Sequence, residues 1–462
     1  MKKLTFVFLL SFFCVVHQAA AQDTVRVSLQ QFIERGIEHA GQLKYERQKI
    51  NLAENQVSQV NSQRYLPRLE ISTQHGVVPG VVSQRGDLSE NEYYLDPNLE
   101  NDWENWAVFT RAELQGVQPL FTWGALRNAV KAAEASAVAA REQFQKQEAD
   151  LRVRLIELYQ SHLLTKEILR LLDEAAGKIE KIEGQLEEKQ KEGAEDFDES
   201  DLFKFKIFKS EFATRAAEVR KSAQMTHRIW AYVLKAEKGT VYLPETRFLD
   251  PVPQGLKEID FYKMNAIERR SEIKAVEAGI KAADHGIEAE KSRGLPALVL
   301  GFTGSYANTP NRPRQSNPFI INNSNYASGS FGLAIRQNLD FLSIRTDVEK
   351  RKLQKRQAEY LKEAAVDGIV LEINEAYKNA SLSKVKVENT DEAHVVSKKW
   401  LRQEQLDYDF GIGDTKDLID ALKKELELRV QMKREIFDFN KNMTQLYRKS
   451  GLPIIQIFKD EE

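Results

Sequence analysis

The chain has 462 residues, enough for two or three ordinary domains or one elongated one. Apolar residues make up 42% of it and charged residues 29%, with a formal net charge of -2. A nucleic-acid binder would carry a basic excess, and a disordered chain would be poorer in apolar residues, so both classes are excluded.

The first segment, 1–21, reads as a secretory signal peptide. Lys2 and Lys3 precede an apolar run, Leu4 to Val16, broken only by Thr5 and Ser11; Ala19 to Ala21 then offer small residues for cleavage after Ala21. The run is too short to cross ~30 Å of hydrocarbon. The only cysteine, Cys14, lies inside it, so the mature chain is expected to lack disulfides, thiol catalysis and thiolate metal sites. No later stretch reaches the ~18 apolar residues of a spanning helix. An exported chain of this kind is either soluble or a β-barrel protein.

Residues 22–65 are expected to hold a helix over Leu29 to Arg64. Leu66-Pro67 ends it, because the residue before proline avoids the helical region. A β-hairpin with a loop follows over 66–121. Its strands alternate: Leu69, Ile71 and Thr73 oppose Glu70, Ser72 and Gln74, and Val108, Ala112 and Leu114 oppose Arg111, Glu113 and Gln115. Such patterning suits a membrane barrel with a wet interior, and equally a soluble hairpin with one core face.

The long helical hairpin over 122–234 tips the balance. Leu126, Val130, Ala133, Ala137, Ala140 and Phe144 keep four-three spacing, resumed at Leu151 and Leu155 and again from Leu172 to Leu186. A helix from about Thr122 to Lys191 would reach ~100 Å, more than one compact domain can use. A turn at Gly193 to Ser200 leads to a returning helix carrying Leu202, Phe205, Phe208 and Phe212. The segment 235–258, with Pro244, Pro251 and Pro253, reads as a connector packed on the outside.

The pattern then recurs as a second helix over 259–293, a hairpin over 294–340, a helical hairpin over 341–450 and a tail over 451–462. In the second sheet segment, Leu298, Leu300, Phe302 and Tyr306 oppose Gly301, Thr303 and Ser305, and Phe331, Leu333 and Ile335 oppose Gly332, Ala334 and Arg336. Three matches stay in order: Tyr65-Leu66-Pro67 with Gly294-Leu295-Pro296, Gln118-Pro119-Leu120-Phe121 with Gln337-Asn338-Leu339-Asp340, and the run ending Asp201-Leu202 with that ending Asp417-Leu418. Together they point to an ancient duplication.

The two Leu-Pro pairs, the stretch Gln118 to Gly124 and the run Gly411 to Ala421 resemble the TolC-like outer membrane efflux protein family, over essentially the whole mature chain. The resemblance implies a mixed α+β membrane protein built of two tandem repeats. Each repeat gives two strands to a trimeric 12-stranded β-barrel, and the coiled-coil helices form a periplasmic α-barrel. It implies an exit duct in the cell outer membrane, for small-molecule efflux or type I secretion, that works as a homotrimer with a periplasmic adaptor protein and an inner-membrane transporter. Four strands alone cannot span lipid, since open edges leave backbone groups unsatisfied.

The resemblance also places residues. Asp417 and Asp420, three apart and on one helix face, match paired aspartates at the family's tunnel constriction; capping of the helix start is the plain alternative. Gly193, Asp201, Leu202, Gly411, Gly413, Thr415 and Leu418 fall at the hairpin tips where the adaptor docks in the family, or simply form helix-hairpin turns. The first half departs from the pattern: Lys204 stands where the second has Asp420. The loop Gly80 to Trp106, with Tyr93, Tyr94, Trp103 and Trp106, is expected outside the cell, either marking the membrane interface or folding over the pore mouth. Its acidic character, against Arg312 and Arg314 in the loop Ala307 to Tyr326, suggests that the two loops touch. No nucleophile elbow, phosphate loop or metal-spaced cluster is evident, so no enzyme activity, cofactor, metal or nucleic-acid partner is expected. A periplasmic coiled-coil scaffold without a pore is the competing reading.

Overall fold

The computed structural model describes residues 24–86, 88–192, 199–237, 239–314, 317 and 319–459. The expected leader 1–21 and the turn residue Gly193 lie outside them. In chain order the elements are β1 (Thr24–Val27), α1 (Leu29–His39), α2 (Gly41–Tyr65), β2 (Arg68–Ser83), α3 (Glu90–Tyr93), β3 (Leu99–Phe121), α4 (Ala125–Glu192), α5 (Glu199–Val233), β4 (Val241–Pro244), α6 (Ile259–Arg269), α7 (Ser271–Ser292), β5 (Ala297–Asn308), β6 (Tyr326–Arg336), α8 (Phe341–Asp409) and α9 (Thr415–Lys449). A short 3-10 turn, Ile454–Phe458, closes the list. With α3 set aside as a loop insertion, one element order runs twice.

Where single helices are expected over Leu29–Arg64 and Ile259–Arg293, two stand in each place. Ala40 breaks the first with an extended backbone (φ -70°, ψ 106°), and Arg270 breaks the second (φ -63°, ψ 128°). Neither break carries a proline, so the helical periodicity reads straight through both. Arg270 is buried and its guanidinium is matched by Glu272 at 2.9 Å.

The chain folds as two compact units, one of Lys44–Lys146 with Arg270–Gly368 and one of the remaining segments. In the first, both hairpins join one four-stranded antiparallel sheet in the order β2-β3-β5-β6. Its cross-strand rows are two-faced. Leu69, Gly116, Phe302 and Phe331 form one row, and Glu70, Gln115, Thr303 and Ser330 form the next on the opposite face. The apolar face lies bare: Ile71 is 71% exposed, Ile335 75% and Phe331 87%. In the polar row the Thr303 and Ser330 hydroxyls are 2.8 Å apart. Strands β2 and β6 each have one neighbour, so both outer edges carry unpaired backbone groups. No helix among the described residues is long and apolar enough to cross a membrane.

Two glycines let aromatic rings lie flat on the sheet. A Cβ on Gly116 would fall 2.0 Å from the Phe302 ring, and one on Gly76 would fall 2.4 Å from Phe109. The loops at this end of the sheet do touch, as the sequence suggests, but through hydrogen bonds rather than opposite charge. The Tyr94 hydroxyl donates to the Pro313 carbonyl, and Asn311 Nδ2 donates to Asn105 O at 2.8 Å. Tyr93 is buried in the first loop. Trp103 and Trp106 stay exposed, with ring centroids 5.8 Å apart.

The second unit has a core of Phe32 from α1, Tyr159 from α4 and Trp230 from α5. Phe32 and Trp230 stand 4.3 Å apart, and Tyr159 stacks on Trp230 at 5.4 Å. β1 and β4 pair in parallel beside it, and the Tyr159 hydroxyl donates to Val27 O. The segment Lys235–Lys257 is therefore built in rather than laid outside: Leu249 and Val252 are buried, and buried Asn440 of α9 accepts from Val252 N and donates to Asp250 O, both at 2.8 Å. His162 packs edge-on against His227 and Trp230. Burial, with smaller contributions from His227 and Lys166, lowers the His162 pKa to about 3, and burial lowers that of His227 too.

Two outcomes follow from this packing. Gly116→Ala should displace Phe302 and cost about 1–3 kcal/mol, read as a lowered melting temperature. As pH falls below 6.5, unfolded His162 takes up a proton that the folded chain refuses down to about 3, so the unfolded state is favoured. Stability should drop by about 1.4 kcal/mol per pH unit from this group between pH 6.5 and 5, and melting curves of His162→Gln should show a shallower pH dependence.

Candidate gate at the ends of the helical hairpins

The turn between α8 and α9 is set by two glycines. Gly411 adopts φ +75°, which L side chains rarely tolerate. Ile412 N and Gly413 N both donate to Asp407 O, at 3.0 and 2.9 Å, closing the end of α8. A Cβ on Gly413 would fall 2.7 Å from Tyr408 N, so the chain passes too close for any side chain there.

Asp414 then caps α9, accepting from Lys416 N at 2.9 Å. That settles which aspartate does the capping, and it frees the other two. Asp417 and Asp420 both lie exposed on α9, turned away from Leu418, Ala421 and Leu422, which are buried. Neither makes an ion pair with a described residue. Lys416, Lys423 and Lys424 share the exposed surface of this helix.

The start of α5 differs. Asp201 is matched by Lys204 at 3.0 Å, so its charge is locally balanced. Leu202 turns inward and joins Leu418, Phe205, Ile182 and Tyr408 in one apolar cluster. The ends of α4, α5, α8 and α9 therefore share a single core, to which Leu202 and Leu418 both belong. Thr415, in the first turn of α9, is half-buried.

Ion pairs that the sequence does not reveal tie the two hairpins together. Arg429 of α9 reaches Glu174 of α4 at 2.8 Å, and Lys423 of α9 reaches Glu211 of α5 at 3.7 Å. Within the first hairpin, Lys209 meets Glu183 at 2.6 Å. Lys189 sits 4.7 Å from the centre of the Tyr408 ring, a cation-π contact across the hairpins. The partners are hundreds of positions apart or on different helices, and charge alone gave no sign of which would meet.

Residues 264–441 match the family model described as "Outer membrane efflux protein". This stretch is therefore similar to that family. It holds the second hairpin of the sheet, α8, and the Gly411 to Asp420 turn. The resemblance read from the sequence is borne out on it, and the family's description names the outer membrane, as expected for the location. A search of curated proteins gives no match.

Solved structures extend the likeness to the whole fold. The chain is similar to the outer-membrane channel OprN (TM-score 0.69, 16% identity, covering 92% of this chain and 90% of that one). It is similar to CusC, whose crystal structures concern transmembrane channel formation (TM-score 0.71, 14% identity, 93% of each chain). It is also similar to the open state of the outer membrane channel MtrE of Neisseria gonorrhoeae (TM-score 0.69, 16% identity, 92% and 89%). The fold is thus shared with these channels over nearly the full length.

Gly413→Ala should force the α8–α9 turn to open, costing about 1–3 kcal/mol of local stability. Faster proteolytic cleavage between Asp409 and Thr415, with the rest of the chain intact, is the expected readout. Gly411→Ala should act through its backbone angle alone and show a smaller effect.

Proposed function

We propose that the chain is one subunit of a trimeric exit duct in the outer membrane. Three copies join edge to edge, β6 of one beside β2 of the next, to close a twelve-stranded barrel. The observation that carries this reading is the sheet itself, with one bare apolar face, one polar face and two unpaired edges. In water such a surface would aggregate; in lipid the apolar face is solvated and closure satisfies the edges. The polar face then lines a wet passage.

The helical hairpins continue the passage into the periplasm. Asp417 and Asp420 of three copies stack two rings of carboxylates at its narrowest point, which favour cations and are blocked by multivalent ones. Arg429–Glu174 and Lys423–Glu211 hold the second hairpin against the first, and opening breaks them as the hairpin ends untwist. A periplasmic adaptor docks at the turns, and an inner-membrane transporter supplies the energy. The cargo is small molecules, or a polypeptide in type I secretion. The coiled-coil scaffold reading leaves the bare sheet face without a role.

The mature protein should need detergent to stay monodisperse and should conduct in planar bilayers. Asp417→Ala with Asp420→Ala should lower the preference for cations and abolish block by divalent ions. Unchanged selectivity in a conducting channel would remove these residues from the constriction. A detergent-free, water-soluble monomer would defeat the duct.

A further inference from the structure

The loop between β5 and β6, together with parts of β2, β3 and β5, borders an open cavity of about 160 Å³. Its polar lining includes Arg111, Arg312, Thr110, Thr309 and Ser324, and no carboxylate among the described residues faces it. Neither arginine has an acidic partner among the described residues. Arg312 reaches only neutral acceptors at long range: Ser324 Oγ at 3.4 Å and the Pro79 carbonyl at 3.4 Å. Its Nε is buried and has no acceptor at all. Arg111 reaches Asn323 O at 3.5 Å. Two more buried donors in these loops, Asn322 Nδ2 and the Tyr93 hydroxyl, also lack partners.

This is an unusual balance. A guanidinium carries five N–H donors and a permanent charge, and partly desolvating it is costly unless an anion meets it. The loop is nonetheless fixed around it. Asn325 donates to Arg312 O at 2.8 Å and to Thr309 O at 3.1 Å, and accepts from Thr309 N at 2.7 Å. The arrangement is held in place with Arg312 Nε unmet and no carboxylate on either guanidinium among the described residues. Planar guanidinium forks match phosphate, sulfate and carboxylate groups, and hydroxyls beside them complete such sites.

We propose that this cavity binds a small oxyanion, a phosphate or sulfate ion or an anionic group of like geometry, clamped between Arg111 and Arg312. Arg111 lies on the polar face of the sheet, in the alternation of Glu113 and Gln115, so the ligand enters from the water side. The cavity lies within one chain and needs neither trimer nor pore, so its test stands apart from the channel reading. A bound anion would tie the β5–β6 loop to β3 more firmly than the Arg111 contact with Asn323 O alone.

The test uses the full mature chain in a phosphate-free maltoside detergent. Phosphorus NMR line broadening of inorganic phosphate should report a Kd on the order of 1 mM or tighter. Arg111→Gln and Arg312→Lys should each weaken binding by about tenfold or more, the second because it keeps the charge but loses the fork. Arg314→Gln, an exposed arginine of the same loop, should leave binding unchanged. Tighter binding of inorganic phosphate than of glycerol phosphate assigns the cavity to a free ion; the reverse assigns it to the phosphate of a larger molecule. No broadening with the unmutated chain, or an equal loss in Arg314→Gln, overturns the site. So does full retention of affinity in both Arg111→Gln and Arg312→Lys.

Discussion

Unpaired backbone at the two edges of the four-stranded sheet is the constraint from which the rest follows. A buried or lipid-facing N–H or C=O without a partner costs several kcal/mol in hydrocarbon. Strands β2 and β6 each present a full row of them. A soluble protein would blunt such edges with charge, proline or a covering helix, and it would hide an apolar face under another layer. Here the outer strand β6 carries Phe331, Leu333 and Ile335, all exposed. In the proposed trimer another sheet edge completes the ladder and an apolar solvent covers the face.

The sheet also has to curve if it is to close. Small residues help: Gly304 and Gly329 stand opposite each other on β5 and β6, and Gly116 lies under the Phe302 ring. The register slips between Pro79 and Gly80 and between Pro119 and Phe121 bend the strands near their ends. The helical unit solves a different problem. Its rods pack by apolar seams, and its ends are pinned by two clusters, one around Trp230 and one around Leu418. A smaller apolar group of Ile168, Leu172 and Ala216 lies between them, and charged contacts run along the surface, Arg429–Glu174 and Lys209–Glu183 among them. Charged contacts are cheaper to exchange than a packed core, so the proposed opening would act on them first.

The two-faced strands were legible in the sequence because a strand has period two and its faces meet different solvents. Leu69 with Ile71 and Phe331 with Leu333 could be assigned to one side before any pairing was known. The α4 seam was legible for the same kind of reason, and Val130, Ala137, Phe144 and Leu155 are buried as the spacing implies. The breaks at Ala40 and Arg270 were not, because no proline or local clash marks them and packing alone decides the bend. The β1–β4 pair escaped notice because four residues carry too little pattern. Within the candidate site, the glycines of the turn and the exposed aspartates could be picked out. Which aspartate capped the helix could not, since Asp414 and Asp417 are both suited to a first turn until a distance separates them.

The repeats are unequal at the one place where charge would matter most. Asp201 is balanced by Lys204 in the first hairpin, whereas Asp417 and Asp420 have no ion-pair partner among the described residues in the second. A ring built from both hairpins would therefore not carry twice the charge of a ring built from one. Three bare pairs repel one another when brought close, and an acidic constriction is tolerable only where water or cations enter. In the proposed gate, Lys416 and Lys423 on the same helix would limit how negative the ring becomes, and Lys423 is already engaged with Glu211. Breaking that contact would release a positive charge beside the ring at the same moment that the hairpin moved. Opening and loss of cation preference would then be two results of one event, because the lysine that clamps the hairpins is also the one that would neutralise the ring.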